Sequence, residues 1–572
     1  MKGTKKTRLI ISMILTLSVG FLNFCNKEND IISQEKATLM LTNCNIISVD
    51  ENIPKADAIA IKDDKIIALG SSREIEKYKG EHTKLINLQG KTAVPGFIDS
   101  HMHFPELGKR VKQLYLDKTK NVEEALAIVK EVVKKAKPEE WITGMGWHTA
   151  YWKTLDYPNN SELSKISPQN PVFLIGMASH AAWVNDKALK LAGITKDTSD
   201  PPGGKIIKNP ETGEPTGILI EKAQDLISKL FPAETYDSKK ADIKLSIRTA
   251  LSLGLTEVHD AGVDYDIIKI YKELLEEGEL PLRLYVMFLV PDGGEVLDKY
   301  LISPPEIGLG NNFLTFRCIK VFVDGALGAR GAALLSPYSD SPKDTGLIRN
   351  SEEEIYKVVY KSMKAGYQVA IHAIGDRGNR IALNATEKAQ KKLSTKNFRV
   401  RIEHAQILSP QDIPRFAELC IIPSMQPIHC TMDMGFAEAR VGPERMKGAY
   451  AWKTLLETGV KIAAGSDTPA FPVDNSNPLW GIYAAVTRQN NQGQPPGGWY
   501  PEEKVSRLDA LKMYTINAAY AAFEENIKGT IAPGKLADIT VLSKDILTIP
   551  EPEIWQTEVL MTIVGGKIIY QK

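Results

Sequence analysis

Two textures alternate along the chain. Near both ends, short β-type runs are separated by turn residues, at 38–41, 58–61 and 65–70 and again at 538–542 and 561–570. The middle instead carries eight longer apolar runs, at 93–103, 255–260, 282–290, 316–323, 367–373, 398–405, 421–426 and 460–467. Amphipathic stretches with helical spacing lie between most of them, at 122–136, 241–253, 267–277, 352–365, 380–392 and 451–457. Strands alternating with helices predict an α/β fold whose parallel strands close into a (β/α)8 TIM barrel. Residues 104–240 exceed what one crossover needs, so an inserted lobe is expected after strand 1. The similar ends predict one small β-sandwich built from both. The expected boundaries are 37–92 for the N-terminal part of the sandwich, 93–527 for the barrel with its lobe, and 528–572 for the C-terminal part.

The first residues read differently. A basic opening, Met1 to Arg8, precedes an apolar run from Leu9 to Leu22 and then a polar stretch. The run is shorter than the roughly 20 residues of a membrane span, so 1–24 is expected to be a signal peptide. Cys25 follows Leu22-Asn23-Phe24 and resembles the lipid-modified cysteine of a bacterial lipobox, although Phe24 stands where a small residue is usual. The expectation is an exported, lipid-anchored protein of the cell envelope, held to the membrane surface through Cys25, with 25–36 as a polar tether. Cys44, Cys318, Cys420 and Cys430 form no CxxC pair and lie in apolar segments, so they are expected to be core thiols.

Composition narrows the function class. The 572 residues carry 71 Lys and Arg against 70 Asp and Glu, a net charge of +1, which argues against a nucleic-acid binder. With 43% hydrophobic residues the chain can bury a large core, which excludes disordered and fibrous classes. Composition by itself does not identify the partner.

The chemistry sits at the ends of the predicted strands. His101 and His103 close the first, and strand alternation sends both side chains the same way, where two imidazoles can grip one metal ion. His372, His404 and Asp467 close the fifth, sixth and eighth. Barrel active sites lie at the C-terminal ends of strands, so these distant residues are expected to converge. Lys320 lies within the apolar fourth strand, where burial should depress its pKa. A neutral amine there can take up carbon dioxide and become a carbamate that bridges two metal ions; the alternative is a structural lysine paired with a carboxylate such as Asp324.

The set His101-x-His103, Lys320, His372, His404 and Asp467 resembles the metal site of the amidohydrolase superfamily. Val94 to His103, Lys320 to Arg330, His372 to Arg377, Arg401 to His404, Ser424 to His429, Gly465 to Asp467 and Gly534 to Asp538 are similar to its family 3, the branch that includes N-substituted formamide deformylases. That resemblance implies a metal-dependent hydrolase of carbon–nitrogen bonds other than peptide bonds, acting on an amide or N-substituted formamide. It implies two divalent ions, zinc by expectation. His101, His103, carbamylated Lys320 and Asp467 hold one, and the carbamate with His372 and His404 holds the other; a one-metal version lacks the carbamate. Asp467 is expected to act as general base and then general acid. His180 resembles a family position that faces substrate, where it would polarise the carbonyl or bind the leaving group; the alternative is a structural hydrogen bond. His259 is expected behind the metal site, His429 in the pocket wall, and His82 in a surface loop. Arg330 and Arg377 are expected to brace the barrel top against Asp324 and Asp376, the alternative being that their guanidinium forks bind a substrate carboxylate, and Trp141, Trp147, Tyr151 and Trp152 to form lobe core or an apolar substrate pocket. Two positions depart from the family: His148 follows Gly144-Met145-Gly146-Trp147, and no arginine precedes His180 in Leu174 to Ser179. Both fall in the expected substrate wall. Other readings are a cyclic amide or imide hydrolase with the same metal site, and a non-catalytic surface lipoprotein that binds a metal or ligand. A homodimer is one assembly left open.

Overall fold

The computed structural model describes residues 35–572 apart from 54, 150–151, 153–156, 177–180, 396–397 and 470–472. The signal peptide, Cys25, most of the tether, Tyr151 and His180 lie outside the described residues.

Eight parallel strands form the barrel: β1 (Phe97–Met102), β2 (Leu255–Val263), β3 (Arg283–Leu289), β4 (Leu314–Phe322), β5 (Gln368–Ala373), β6 (Arg401–His404), β7 (Ile422–Met425) and β8 (Ala463–Ala464), each paired with the next. The ring closes between β8 and β1 through the residues that follow the strands. Asp467 N–H donates to the His101 carbonyl at 2.7 Å, and His103 N–H donates to the Thr468 carbonyl at 2.7 Å. Helices cover the outside where amphipathic periodicity places them, among them Tyr236–Ser252, Tyr265–Glu276, Glu352–Lys364 and Asp376–Leu393. Ser351 and Glu354 close a capping box at the start of Glu352–Lys364.

The predicted run 93–103 is two strands in two sheets. Thr92–Pro95 pairs antiparallel with Ile539–Leu542, whereas β1 pairs with β2. The break falls at Gly96, where a Cβ would lie 2.2 Å from Thr256 Oγ1. Only glycine lets the chain pass that close. One sheet of the sandwich runs in the order Lys65–Gly70, Ala58–Lys62, Leu39–Thr42, Lys84–Asn87. The other runs Asn45–Ile46, Thr92–Pro95, Ile539–Leu542, Val559–Val564, Lys567–Gln571. Alternate residues Leu39, Leu41, Ile59 and Ile61 meet Ile539, Val541, Met561 and Ile563 in a common core.

The inserted lobe has its own six-stranded sheet, from Leu114–Tyr115 at one edge to Gly204–Lys208 at the other. Helix Phe104–Lys112 leads into it and packs against Tyr236–Ser252 on the way out, so closely that a Cβ on Gly108 would lie 1.9 Å from the Asp242 carbonyl oxygen. Trp147, Trp152 and Trp183 are buried together in the lobe, and Trp141 packs on Phe231, so the described aromatic residues are lobe core. Cys44, Cys318 and Cys430 are buried free thiols. Cys420 corrects the expectation: it is exposed, because it lies in the turn that ends helix Ile413–Glu418 and adopts φ of 52°. Among the described residues, no helix is long and apolar enough to cross a membrane.

Barrel and sandwich are joined by a buried ion pair. Arg283 on β3 donates from Nε to Asp538 Oδ2 at 2.7 Å and from Nη2 to Oδ1 at 3.0 Å. Burial works against the Asp538 charge, but the facing guanidinium outweighs it and holds the carboxyl below its ordinary range. Removing one partner leaves a buried charge uncompensated, so Asp538→Asn is expected to cost about 3–5 kcal/mol in urea unfolding at neutral pH. Because the folded-state pKa is depressed, the pair's contribution is full above the ordinary carboxylate range and disappears only as pH falls below it. An unchanged unfolding midpoint in the variant would refute this role.

Candidate metal centre

Strand ends bring the site together, and two of them do so through unusual backbone. A regular strand would send Glu403 and His404 to opposite faces. His404 instead has φ of 75° and Ala405 φ of 43°, a left-handed turn that brings the His404 side chain to the barrel mouth beside the inward-facing Glu403. Asp467, beyond β8, has φ of 54°. Such conformations are uncommon for non-glycine residues and are concentrated at functional sites.

The imidazoles and the carboxylate then converge. Ligand atoms of His101, His404 and Asp467 all lie within 4.8 Å of one another. His101 Nε2 is 3.3 Å and His103 Nε2 3.5 Å from Asp467 Oδ1, and His429 Nε2 is 3.5 Å from Asp467 Oδ2. The His372 ring centroid is 4.4 Å from that of His404. Behind the ligand atoms, His101 Nδ1 meets Glu403 Oε2, and His404 Nδ1 is 2.7 Å from Gln426 Oε1. Both partners are acceptors, so both rings carry the proton on Nδ1 and offer Nε2 to the site. His372 Nε2 lies 3.6 Å from Asp324 Oδ1, beyond hydrogen-bond distance.

Electrostatics match this arrangement. Burial drives the pKa values of His372 and His404 well below the ordinary range, so their lone pairs are available at neutral pH. At His101, burial and the Lys320 charge act downward, but the Glu403 and Asp467 carboxylates outweigh them and raise its pKa, so a cation bound at Nε2 would displace a proton from that nitrogen while Nδ1 keeps its own. Burial opposes ionisation of Asp467, yet the neighbouring His101 ring and the other imidazoles around it hold it well below the usual carboxylate range. Burial pushes Lys320 down to about 8. Its Nζ makes no hydrogen bond or close ion pair with a described residue, and Asp324 does not serve as its partner. Asp324 accepts instead from the backbone N–H groups of Ala333, Ile374 and Gly375. A buried cluster of imidazole nitrogens and carboxylate oxygen, with His101 Nε2 unsatisfied by any described hydrogen-bond partner, fits a divalent metal ion.

Of the candidate ligands, His101, His103, His372, His404 and Asp467 come together with Lys320 beside them, while His180 lies outside the described residues. His259 stands behind the site, bonded to Arg401 and Glu257. His429 reaches Asp467 itself, closer than a wall position required. His82 is exposed. Arg330 braces Asp340 rather than Asp324, because the Asp324 carboxylate is already occupied by backbone amides. Asp376 likewise accepts from the Leu335 and Arg377 backbone N–H groups, and Arg377 is exposed. Arg401 and Glu403 were not anticipated as functional, although two opposite charges two apart in an apolar strand are a legible signal of one shared inward face. A cavity of about 290 Å3 opens beside His103, walled by residues such as Lys109, Glu234, Asp260, Val263 and Leu289.

Residues 84–570 match the model of the amidohydrolase family. The chain is 35% identical to the protein LONG AFTER FAR-RED 3 of Arabidopsis thaliana, over 93% of this chain and 92% of that one. It is 28% identical to the N-substituted formamide deformylase of Arthrobacter pascens, over 93% of this chain and 98% of that one. Among solved structures it resembles an uncharacterized metal-dependent hydrolase from Pyrococcus furiosus, with a TM-score of 0.70, 30% identity, and coverage of 89% of this chain and 100% of the other.

Proposed function

The chain belongs to the amidohydrolase family and is a metal-dependent hydrolase, and on that premise we propose that it cleaves the carbon–nitrogen bond of an amide or N-substituted formamide. The observation that carries the proposal is the convergence of His101, His404 and Asp467 in the barrel mouth, with ligand atoms within 4.8 Å. Similarity to an N-substituted formamide deformylase along nearly the whole chain supports the choice of substrate class.

His101, His103, His372, His404 and Asp467, with Lys320 as a carbamate, would hold two zinc ions. When bound, the ions lower the pKa of water to near 7 and polarise the substrate carbonyl. Asp467 then does the proton work. Ionised and placed against His101, His103 and His429, it takes a proton from the attacking water as the oxygen–carbon bond forms. It returns that proton to the nitrogen as the carbon–nitrogen bond breaks, so an amine leaves and a carboxylic acid remains, which gives up its own proton to the amine or to solvent at neutral pH. His429 Nε2 stands 3.5 Å from Asp467 Oδ2, on the side of the carboxylate away from the His101 and His103 contacts at Oδ1. Lys320 supplies its carbamate by losing a proton and adding carbon dioxide through Nζ, which needs the neutral amine that burial favours. His180 would polarise the substrate carbonyl or bind the leaving group.

Amine release from a panel of N-formyl, N-acyl and cyclic amides, with Asp467→Asn as control, tests the reaction. Turnover of acyclic amides or formamides that falls by about 10²–10⁴-fold or more in the variant is expected. Turnover confined to cyclic members would replace the substrate class, and metal-loaded protein inactive on every member would favour a binding role. For Lys320, protein equilibrated with ¹³C-bicarbonate is expected to show a carbamate carbon resonance that is missing from Lys320→Arg; the same spectrum from both proteins would refute the carbamate.

A further inference from the structure

A continuous buried chain of polar side chains descends from His101 through the barrel interior. Below the His101 Nδ1 contact, Glu403 Oε1 accepts from Arg401 Nε at 2.7 Å and Oε2 accepts from Arg401 Nη2 at 3.2 Å. Arg401 Nη2 also donates to the Ser100 carbonyl at 2.5 Å and to Ser424 Oγ at 2.9 Å, and Nη1 lies 2.9 Å from His259 Nδ1. His259 Nε2 is 3.0 Å from Glu257 Oε1, and the other Glu257 oxygen meets the Lys528 ammonium beneath the barrel. Arg401, Glu403 and His259 side chains are all 0% exposed.

Each hydrogen bond in this chain has only one permitted direction. A guanidinium has donors and no acceptor, so His259 Nδ1 must accept from Arg401, and its proton sits on Nε2 facing Glu257. Burial and the Arg401 charge push the His259 pKa well below its ordinary range, in keeping with a neutral ring. A carboxylate has acceptors only, so Glu403 takes every donor that Arg401 and His101 direct at it. The His101 proton is thereby fixed on Nδ1, and Nε2 is left towards Asp467.

We propose that Glu403 is a positioning residue for metal binding: it locks His101 in the tautomer whose Nε2 is a ligand, and Arg401, itself held by His259, locks Glu403. The proposal rests on the metal reading above. Glu403→Gln keeps the shape but not the logic. Arg401 offers only donors, so the new amide must turn its oxygen to Arg401 and its NH2 to His101 Nδ1. His101 then has to accept there and carry its proton on Nε2, where the metal would bind. A merely structural role would lower stability and leave the metal affinity of the folded protein unchanged.

The test is the Zn²⁺ dissociation constant of the full chain, measured by competition with a chromophoric chelator and paired with melting curves of the same metal-free samples. Folded Glu403→Gln is expected to bind zinc about 10–100-fold more weakly than the unaltered protein. His259→Asn, whose Oδ1 can still accept from Arg401, is expected to keep its affinity, and His259→Leu, which cannot accept, is expected to lose it. Folded Glu403→Gln with unaltered affinity would overturn the proposal, as would equal affinities for the two His259 variants. If Glu403→Gln does not fold, the His259 pair decides by the same comparison. Absence of zinc binding by the unaltered chain would instead overturn the metal reading itself, a result distinct from either.

Discussion

Glu403 places a carboxylate in the middle of a closed barrel, where water cannot reach it, and it is tolerable there only because Arg401 and His101 complete its hydrogen bonds. An isolated ion at such a depth would cost several kcal/mol or would give up its charge. Arg401 in turn needs Ser100, Ser424 and His259, and His259 needs Glu257. Charge in the barrel interior therefore comes as a complete set. The set spans β1, β2, β6 and β7, which ties the orientation of His101 to the register of strands far apart in the chain. The same physics operates where the barrel meets the sandwich, with Arg283 and Asp538 in place of Arg401 and Glu403.

The mouth of the barrel is built at some conformational cost. His404 and Asp467 both hold left-handed backbone that a non-glycine side chain disfavours, by roughly 1–3 kcal/mol each. The adjacent structure over-determines them. Asp467 N–H is bonded to the His101 carbonyl, and Ala405 N–H to the Ala373 carbonyl, so the turns that present these ligands are also the contacts that close or brace the ring. Stability and site geometry depend on the same few backbone bonds.

Much of this was legible in the residues. Eight apolar runs with intervening amphipathic stretches pointed to the barrel, and the similar textures near the two ends pointed to a shared sandwich. His101, His103, His372, His404 and Asp467 stood out because metal-ligand types recurred where strands end. What escaped has a physical reason in each case. The break at Gly96 interrupts a run that is apolar on both sides, and periodicity does not register a change of sheet. Eight residues were expected in the last strand, yet only Ala463–Ala464 joins the ladder, because the turn carrying Asp467 takes over the closure. Simple alternation would assign Glu403 and His404 to opposite faces, and only the backbone at His404 reveals that both face inward. Cys420 lies among apolar neighbours but occupies a turn, which composition alone does not distinguish from a core position.

The central claim is that nitrogen and oxygen donors at the barrel mouth, and no sulfur, hold a divalent metal. X-ray absorption at the zinc edge of the zinc-loaded chain tests it most directly. The account predicts stoichiometric zinc with a nitrogen and oxygen shell at about 2.0–2.1 Å and outer scattering from imidazole rings. A sulfur shell near about 2.3 Å, or zinc bound only in trace amounts, would contradict it.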